Sequence, residues 1–258
     1  MNQSIAAIAE TTGTDLCALD ASELAAMVRR REASALEVVD AHLAQIARVN
    51  PQLNAIVTLD ADAARERARQ ADAALARGDY WGALHGVPFT LKDMHSCARL
   101  PASMGTRSSQ CVPREDGVVA QRLKAAGAIL LGKTNMAMNA QTVSELFGRT
   151  NNPYNLACTP GGSSGGAAAA VAARLTAFDV GTDLSGSIRM PAHFCGVFGL
   201  KPTQHRIPQA GMIMGPVGLP RIDRQLGASG PIARSAGDIA LLLRVLAGAD
   251  ARDPEVAP

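Results

Sequence analysis

The stretch TPGGSSGGAAAAVAARLTAFDVGTDLSGS, residues 159–187, decides the fold class because it places a helix and a strand between two glycine-serine loops. The alanine-rich run after the first loop consists of strong helix formers, and the apolar run at 177–180 is typical of a buried strand. Strands and helices alternate along the rest of the chain as well. We therefore predict an α/β sheet with helices on both faces.

Capping signals and hydrophobic spacing predict the other elements. Capping-box-like sequences at Asp20–Glu23 and Ser34–Glu37 begin two helices, and Asn50-Pro51 should end the second one. Further helices are predicted at 60–76, 118–126 and 235–247, with strands at 53–59, 84–91 and 128–131. The Pro/Gly-rich stretch 204–230 is predicted as an extended surface loop, and residues 1–258 as a single domain.

Composition and charge describe an ordinary globular chain. Of 258 residues, 47% are hydrophobic and the formal net charge is +2, which gives no reason to expect nucleic acid or an acidic membrane as partner. No apolar run approaches the ~18 residues that cross a bilayer, and the N-terminus lacks the pattern of a secretory signal. Five scattered cysteines without C-x-x-C spacing favour a reducing cytoplasm over disulfides or a zinc site. We expect a cytoplasmic protein that needs no metal or organic cofactor.

Three kinds of chemistry are possible for the two glycine-serine loops: the first two concern 159–166, and the third starts from 181–187. Residues 161–165 match the G-x-S-x-G elbow of α/β-hydrolases, but turn residues with two prolines, instead of a strand, precede Ser163. A phosphate-binding loop needs a lysine after the glycines, whereas four alanines follow Gly166. The third possibility is a pair formed by a serine and a neutral lysine, a known variant of triad chemistry.

The candidates for that pair are Ser187 and Lys92, each of which follows an apolar strand. Backbone N–H groups converge beside a serine at a strand-to-helix junction, as an oxyanion hole requires. Burial can lower the pKa of a lysine by up to ~3–5 units, which would let Lys92 act as a base. On the residues alone, Lys92-Asp93 is equally compatible with an ion pair at a strand end, and Ser187 with a helix N-cap.

The chain resembles the amidase signature family from about residue 19 to its C-terminus. The resemblance rests on the motifs LHGVPFTLKD (84–93), GKTNM (132–136), FGRTNNPYN (147–155), TPGGSSGGAAAAVAA (159–173), GTDLSGSIRMPAHFCGVFGLKPT (181–203) and GASGPIARSAGDIALLL (227–243). It implies the fold of that family, with a mixed central sheet. It also implies an amide hydrolase that forms an acyl-enzyme with a small-molecule amide and releases ammonia or an amine.

The resemblance further implies a Ser-cisSer-Lys triad. Ser187 matches the nucleophile, Ser163 the bridging serine that follows a cis peptide bond, and Lys92 the neutral base. The backbone N–H groups that match the oxyanion hole belong to Leu184, Ser185, Gly186 and Ser187. The residues that match its hydrogen-bonding support are Ser164, Thr182, Asp183 and Arg189.

Two departures from the family pattern are visible. The family commonly has glycine where this chain has Ser185, and a positive φ there would strain a serine. Family enzymes also continue well beyond residue 258, so we expect a chain that lacks the C-terminal half. Such a chain could pair with its own copies or with a complementary C-terminal chain.

Two alternative functions remain open at the level of the sequence. One is a protein like the A subunit of the glutamyl-tRNA(Gln) amidotransferase, a role that requires partner subunits and tRNA. The stretch 211–230 looks unlike the usual sequence of those subunits, which places this alternative second. The other is a catalytically inactive fragment of an amidase.

Overall fold

A mixed six-stranded sheet organises the molecule, of which the computed structural model describes residues 15–137, 143–214 and 226–256. The strands are β1 (Ile56–Leu59), β2 (Pro88–Lys92), β3 (Ile129–Thr134), β4 (Val143–Ser144), β5 (Gly148–Arg149), β6 (Phe178–Asp183), β7 (Phe198–Gly199) and β8 (Ala228–Ala233). The order across the sheet is β1-β3-β2-β6-β8-β7, and β4 and β5 form a separate pair. β2 is parallel to β3 and β6, while the β1–β3, β6–β8 and β7–β8 pairs are antiparallel.

Helices cover both faces of this sheet. They are α1 (Ala21–Arg30), α2 (Ala35–Leu53), α3 (Ala61–Ala76), α4 (Val118–Ala125), α5 (Gly165–Ala172), α6 (Arg189–Phe194) and α7 (Ala236–Leu246). Every residue of β2 and of β8 is buried. Since successive side chains of a strand point to opposite faces, complete burial means that both faces are packed. The predicted fold class, a mixed α/β sheet with helices on both faces, is confirmed.

The helix starts are also confirmed, but one helix end is not. Capping boxes formed by Asp20 with Glu23 and by Ser34 with Glu37 begin α1 and α2. The predicted stop at Asn50-Pro51 is wrong, because α2 continues to Leu53. The stop comes from Asn54, which adopts the left-handed conformation (φ 53°) and donates its N–H to the Asn50 carbonyl at 2.7 Å.

The largest error of the sequence prediction concerns β8. The stretch 204–230 was expected to be a surface loop, yet its last three residues begin a buried strand between β6 and β7. Gly230 is needed there, since a Cβ at this position would lie 1.9 Å from the Leu200 carbonyl oxygen. A glycine that serves close packing thus imitates a turn signal. Residues 215–225 of the same stretch lie outside the described residues. The single domain over 1–258 stays a prediction.

Candidate active site

The predicted site residues gather at one edge of the sheet. Lys92 is the last residue of β2, and Asp183 is the last residue of the parallel strand β6. Carboxyl ends of parallel strands lie at the same edge, where open α/β sheets commonly bind ligands. Ser163 lies in the loop before α5, and Ser187 lies in the turn that joins β6 to α6.

Lys92 is fully buried and makes two short hydrogen bonds. Its Nζ lies 2.7 Å from Ser163 Oγ and 2.7 Å from Thr182 Oγ1. Thr182 Oγ1 in turn donates to the Met94 sulfur at 3.1 Å, so its oxygen accepts from the lysine. A neutral amine that donates to Thr182 keeps its lone pair for the proton of Ser163.

The electrostatic setting of Lys92 favours that neutral form. Burial lowers its pKa to about 7, although the carboxylates of Asp179 and Asp183 favour the charged form and act against this shift. Near pH 7, an appreciable fraction of Lys92 is therefore unprotonated and available as a base.

The loop around Ser163 connects the lysine to the nucleophile candidate. The Gly162–Ser163 peptide bond is cis, as the family resemblance implied. The Ser164 N–H donates to the Ser187 carbonyl oxygen at 3.1 Å, and the Ser164 hydroxyl donates to the Thr182 carbonyl oxygen at 3.2 Å. Within the described residues, the Ser187 hydroxyl makes no hydrogen bond to Ser163 or to Lys92. The structure thus brings the lysine and the bridging serine into contact and holds Ser187 beside them through its backbone.

Asp183 fixes the backbone of the turn that carries Ser187. Its carboxylate accepts the N–H groups of Gly186 (2.7 Å), Ile188 (3.1 Å) and Arg189 (3.2 Å). The Arg189 guanidinium adds two bonds of 3.0 and 2.9 Å. Burial alone would raise the pKa of Asp183, but these donors outweigh it and hold the pKa well below its usual range. Asp183 and Arg189 thus hold the turn that carries Ser187, and their supporting role in a reaction stays a prediction.

The turn leaves three of the four predicted oxyanion-hole donors free. The N–H of Gly186 is engaged by Asp183. In the described part of the chain, no acceptor meets the N–H groups of Leu184, Ser185 and Ser187. The positive φ of this turn, 114°, lies at Gly186, and Ser185 is absent from the positive-φ residues that the structure describes. The strain considered for Ser185 therefore does not arise, because glycine occupies the position that needs the unusual conformation.

Sequence reasoning missed a buried carboxylate in the same region. Asp179 on β6 accepts the Thr90 hydroxyl at 2.6 Å and the Thr134 hydroxyl at 3.0 Å. Burial raises the pKa of Asp179 to about 6, while those two hydroxyls and Lys92 act in the opposite direction. An aspartate inside the apolar run AFDV was the signal that could have identified it, since buried carboxylates need partners.

A second buried lysine was also missed. Lys133 on β3 donates from Nζ to the carbonyl oxygens of Asp93 (2.8 Å) and His95 (2.6 Å). These bonds hold the chain that follows Lys92 against the neighbouring strand. Its position in GKTNM, directly after an apolar strand, could have identified it as a buried cation.

Metal and membrane features are not found among the described residues. No group of three His, Cys, Asp or Glu side chains in 15–137, 143–214 and 226–256 is arranged to hold a metal ion. The five cysteines are free thiols. In the same ranges, every helix is too short or too polar to span a bilayer.

Comparisons with known proteins agree on one family. The sequence model of the Amidase family matches residues 37–258. The chain is 45% identical over 236 residues to the A subunit of the glutamyl-tRNA(Gln) amidotransferase of Methylococcus capsulatus, and the match covers 90% of this chain and 47% of that protein. The chain therefore spans about half the length of the curated relatives that it matches.

Solved structures extend the comparison to the fold. The peptide amidase of Stenotrophomonas maltophilia superposes with a TM-score of 0.85 at 35% identity, over 93% of this chain and 50% of the amidase. A fatty acid amide hydrolase superposes with a TM-score of 0.82 at 31% identity, over 88% of this chain and 40% of that enzyme.

Proposed function

The chain belongs to the amidase family, and on that premise we propose that it hydrolyses a carboxamide C–N bond through an acyl-enzyme on Ser187. One observation carries the proposal: the buried Lys92 contacts Ser163 Oγ at 2.7 Å, and burial brings its pKa to about 7. A base that is neutral near physiological pH and joined to a serine hydroxyl supports nucleophilic catalysis. The chain spans about half the length of its relatives, so the activity that we propose is that of the whole protein to which these residues correspond.

In the first half of the proposed cycle, Lys92 takes the proton of Ser163 while Ser163 takes that of Ser187. The Ser187 oxygen forms a bond to the carbonyl carbon of a small-molecule amide, and the electron pair of the C=O bond moves to the carbonyl oxygen. The free N–H groups of Leu184, Ser185 and Ser187 are the donors that we assign to this oxyanion.

In the second half, the C–N bond breaks and the departing nitrogen takes a proton from Ser163. Lys92 returns a proton to Ser163, which leaves the acyl group on Ser187 and the base neutral. A water molecule then attacks the ester carbonyl carbon while its proton passes through Ser163 to Lys92. The bond between that carbon and the Ser187 oxygen breaks, and the proton returns through Ser163 to restore the Ser187 hydroxyl. The protons that move in this cycle come from Ser187 and water and pass through Ser163 and Lys92, while the backbone N–H groups only stabilise the oxyanion by hydrogen bonds.

The remaining residues act by holding these groups in place. Thr182 accepts a hydrogen bond from the amine of Lys92, and the Ser164 N–H joins the first loop to the second by its bond to the Ser187 carbonyl oxygen. Asp183 and Arg189 hold the turn that presents Ser187. Such support matters because an error of about 1 Å in the position of a reacting group can reduce a rate by about 10²-fold.

A serine-directed fluorophosphonate probe tests the proposal. We expect covalent labelling of the wild-type chain and none of Ser187→Ala. Ser108→Ala, at an exposed serine of a 3₁₀ turn, is the matched control and should label normally. Labelling that persists in Ser187→Ala would show that the nucleophile is a different residue. A folded wild-type chain without labelling would favour the inactive-fragment alternative.

The second candidate is a role like that of the A subunit in glutamyl-tRNA(Gln) amidotransferase, which the 45% identity to such a protein supports. The stretch 211–230, which looked unlike those subunits, lies partly outside the described residues. Co-expression with the other subunits of that enzyme distinguishes the two. A stable complex that transfers ammonia to glutamyl-tRNA(Gln) would support the second candidate, and a fully active chain that ignores those subunits would support the first.

We also propose that this is a cytoplasmic single-domain chain that binds a complementary C-terminal chain or a second copy of itself. Five free thiols support the location. The edge strand β7 and helix α6 support the association, because Phe198 and Phe194 are 51% and 44% exposed there. Light scattering of the purified chain, alone and mixed with the C-terminal half of a relative, measures which association occurs.

A further inference from the structure

The hydrogen bonds of Lys92 continue past the proton relay to a thioether sulfur. The Lys92 amine contacts the hydroxyls of Ser163 and Thr182 at 2.7 Å each. The Thr182 hydroxyl in turn donates to the Met94 sulfur at 3.1 Å. A thioether carries no proton, so it only accepts hydrogen bonds. Met94 therefore ends a chain of hydrogen bonds that runs from Ser163 through Lys92 and Thr182.

Backbone contacts with two other segments hold Met94 in place. The Ile213 N–H donates to the Met94 carbonyl oxygen at 2.9 Å. Lys133 Nζ donates to the carbonyl oxygens of the two neighbouring residues, Asp93 at 2.8 Å and His95 at 2.6 Å. Met94 is also only 5% exposed. Its sulfur is thus an acceptor at a fixed position, with little competition from water.

This acceptor decides which hydroxyl meets the lone pair of neutral Lys92. A neutral amine has one lone pair, and two hydroxyl oxygens lie at hydrogen-bonding distance from it. While Thr182 donates to the sulfur, its proton is occupied, and Ser163 alone donates to the lone pair. Without the sulfur, the Thr182 proton would turn to the amine and compete with Ser163, because a hydroxyl left without an acceptor costs free energy.

We propose that Met94 is a positioning residue of the relay: its sulfur occupies the Thr182 proton and so reserves the Lys92 lone pair for the proton of Ser163. The inference rests on the proposed function, in which Ser163 passes its proton to Lys92. Met94 itself needs no contact with the substrate. The role can be separated from plain packing, because the two predict opposite changes in the pKa of Lys92.

Replacement of Met94 by leucine should lower the pKa of Lys92. The charged amine has no lone pair, so the Thr182 proton then lacks an acceptor, whereas the neutral amine supplies one. The variant therefore destabilises the charged form. A packing defect that admits water would instead raise the pKa toward its ordinary value of 10.5, since burial is what lowers it. The other titratable groups that act on Lys92 or lie near it are unchanged in the variant: Asp179, Asp183 and His95.

NMR of the lysine Cε signals measures this pKa without any substrate. The chain has four lysines, and the signal that is missing from Lys92→Met belongs to Lys92. We expect the pKa of Lys92 to be about half a unit lower in Met94→Leu than in the wild type. Met27→Leu, at a partly buried methionine of α1 that packs against the core, is the matched control and should titrate like the wild type.

Turnover shows whether the same bond matters for the reaction. At a pH where Lys92 is neutral, Met94→Leu should lose roughly three- to tenfold in kcat, because two hydroxyls then share one lone pair. In a Thr182→Val background no second proton competes, so Met94→Leu should change kcat there by less than about twofold. Met94→Gln keeps an acceptor oxygen on a side chain of similar length, and its pKa of Lys92 should stay within about 0.3 units of the wild type.

An unchanged or higher pKa of Lys92 in Met94→Leu would overturn the role of Met94, as would equal losses of kcat in the two Thr182 backgrounds. If Met94→Leu does not fold, Met94→Gln decides, and a pKa that differs from the wild type by more than about half a unit would overturn the role. A folded wild-type chain that neither labels with the fluorophosphonate nor hydrolyses amides would overturn the proposed function instead, while the pKa comparison would still test the hydrogen-bond order.

Discussion

Ser163 and Ser187, the candidate serines of the glycine-serine loops 159–166 and 181–187, are held in different ways. In the first loop the side chain is committed, because Ser163 Oγ lies 2.7 Å from the Lys92 amine. In the second loop the backbone is committed, because Asp183 accepts the Gly186 N–H and two more N–H groups that follow. The hydroxyl of Ser187 makes no hydrogen bond to Ser163 or to Lys92 within the described residues.

In the proposed mechanism, this difference separates the residues that move protons from the residues that meet the substrate. A relay needs its hydroxyl fixed against the base before any substrate arrives. A nucleophile and oxyanion donors need the opposite, namely a rigid backbone whose reactive groups are still unpaired. The following substitutions test each side of that comparison, from the largest expected effect to the smallest.

Removal of the free hydroxyl should have the largest effect. Ser187→Ala takes away the attacking atom, and we expect turnover of a primary amide to fall by at least about 10⁴-fold. The melting temperature should change little, because the Ser187 side chain makes no described hydrogen bond and the Asp183 network is backbone-based. Initial rates and thermal melts of the same preparations measure both. Residual activity above about a tenth of wild type would contradict the assignment.

Removal of the base should have the next largest effect. Lys92→Met keeps the length of the side chain without its proton acceptor, and we expect a loss of about 10³-fold. In the wild type, activity should rise as the pH passes through about 7, since Lys92 is neutral above that value. A pH–rate profile that is flat from about pH 6 to about pH 9 would contradict a base with this pKa.

The same lysine should also govern stability at alkaline pH. Its pKa is lowered from 10.5 to about 7 on folding, so the unfolded chain binds more protons between those values. The free energy of unfolding should therefore rise with pH from about 7 to 10.5, and Lys92→Met should remove that dependence. Urea unfolding at a series of pH values measures the slope. A wild-type slope equal to that of Lys92→Met would show that Lys92 is not the group responsible.

Disruption of the second loop's backbone should have a smaller effect on the rate. Asp183→Asn places N–H donors against N–H donors of the turn, and we expect a loss of roughly 10- to 100-fold in kcat with a lower melting temperature. Because the pKa of Asp183 is held below its usual value of 3.8, its contribution to stability is complete above that pH and declines below it. The deficit of Asp183→Asn in urea unfolding should therefore shrink below pH 3.8. An unchanged kcat would mean that the turn is held by other contacts.

Replacement of Asp179, the buried carboxylate near Lys92, should have the smallest effect on the rate. Asp179 favours the charged form of Lys92, so Asp179→Asn should lower the pKa of the lysine and move the rise of the pH–rate profile to lower pH. The displacement should be less than about one pH unit, because burial is the larger influence on Lys92. A displacement to higher pH would contradict this electrostatic role.

The sequence predicted the elements whose signals are local. Capping boxes beginning at Asp20 and Ser34 marked the first two helices, and these form as predicted. Strand β8 was missed because Gly230 and Pro231 are turn residues by type, and only the close approach of Leu200 explains the glycine. Pairing partners that lie far along the chain carry no local signal.

The features of the candidate site also divide into those that the sequence indicated and those that depend on the path of the folded chain. The apolar strand before Lys92 left its burial as one of two possibilities, and the family resemblance implied both the neutral lysine and the cis bond before Ser163. The engagement of the Gly186 N–H by Asp183 depends on the path of one turn, which residue types do not specify.

The topology also sets when the relay can exist during synthesis. The Lys92–Ser163 and Lys92–Thr182 bonds join residues 71 and 90 positions apart, and β6 is completed on its other side by β8, near the end of the described chain. Contacts with long sequence separation form slowly, since loop closure precedes any gain from them. A ribosome-bound chain that has exposed Ser187 therefore still lacks β8, the strand that pairs with β6. Because burial is what lowers the pKa of Lys92, we expect its amine to stay protonated at neutral pH until the residues around it have packed.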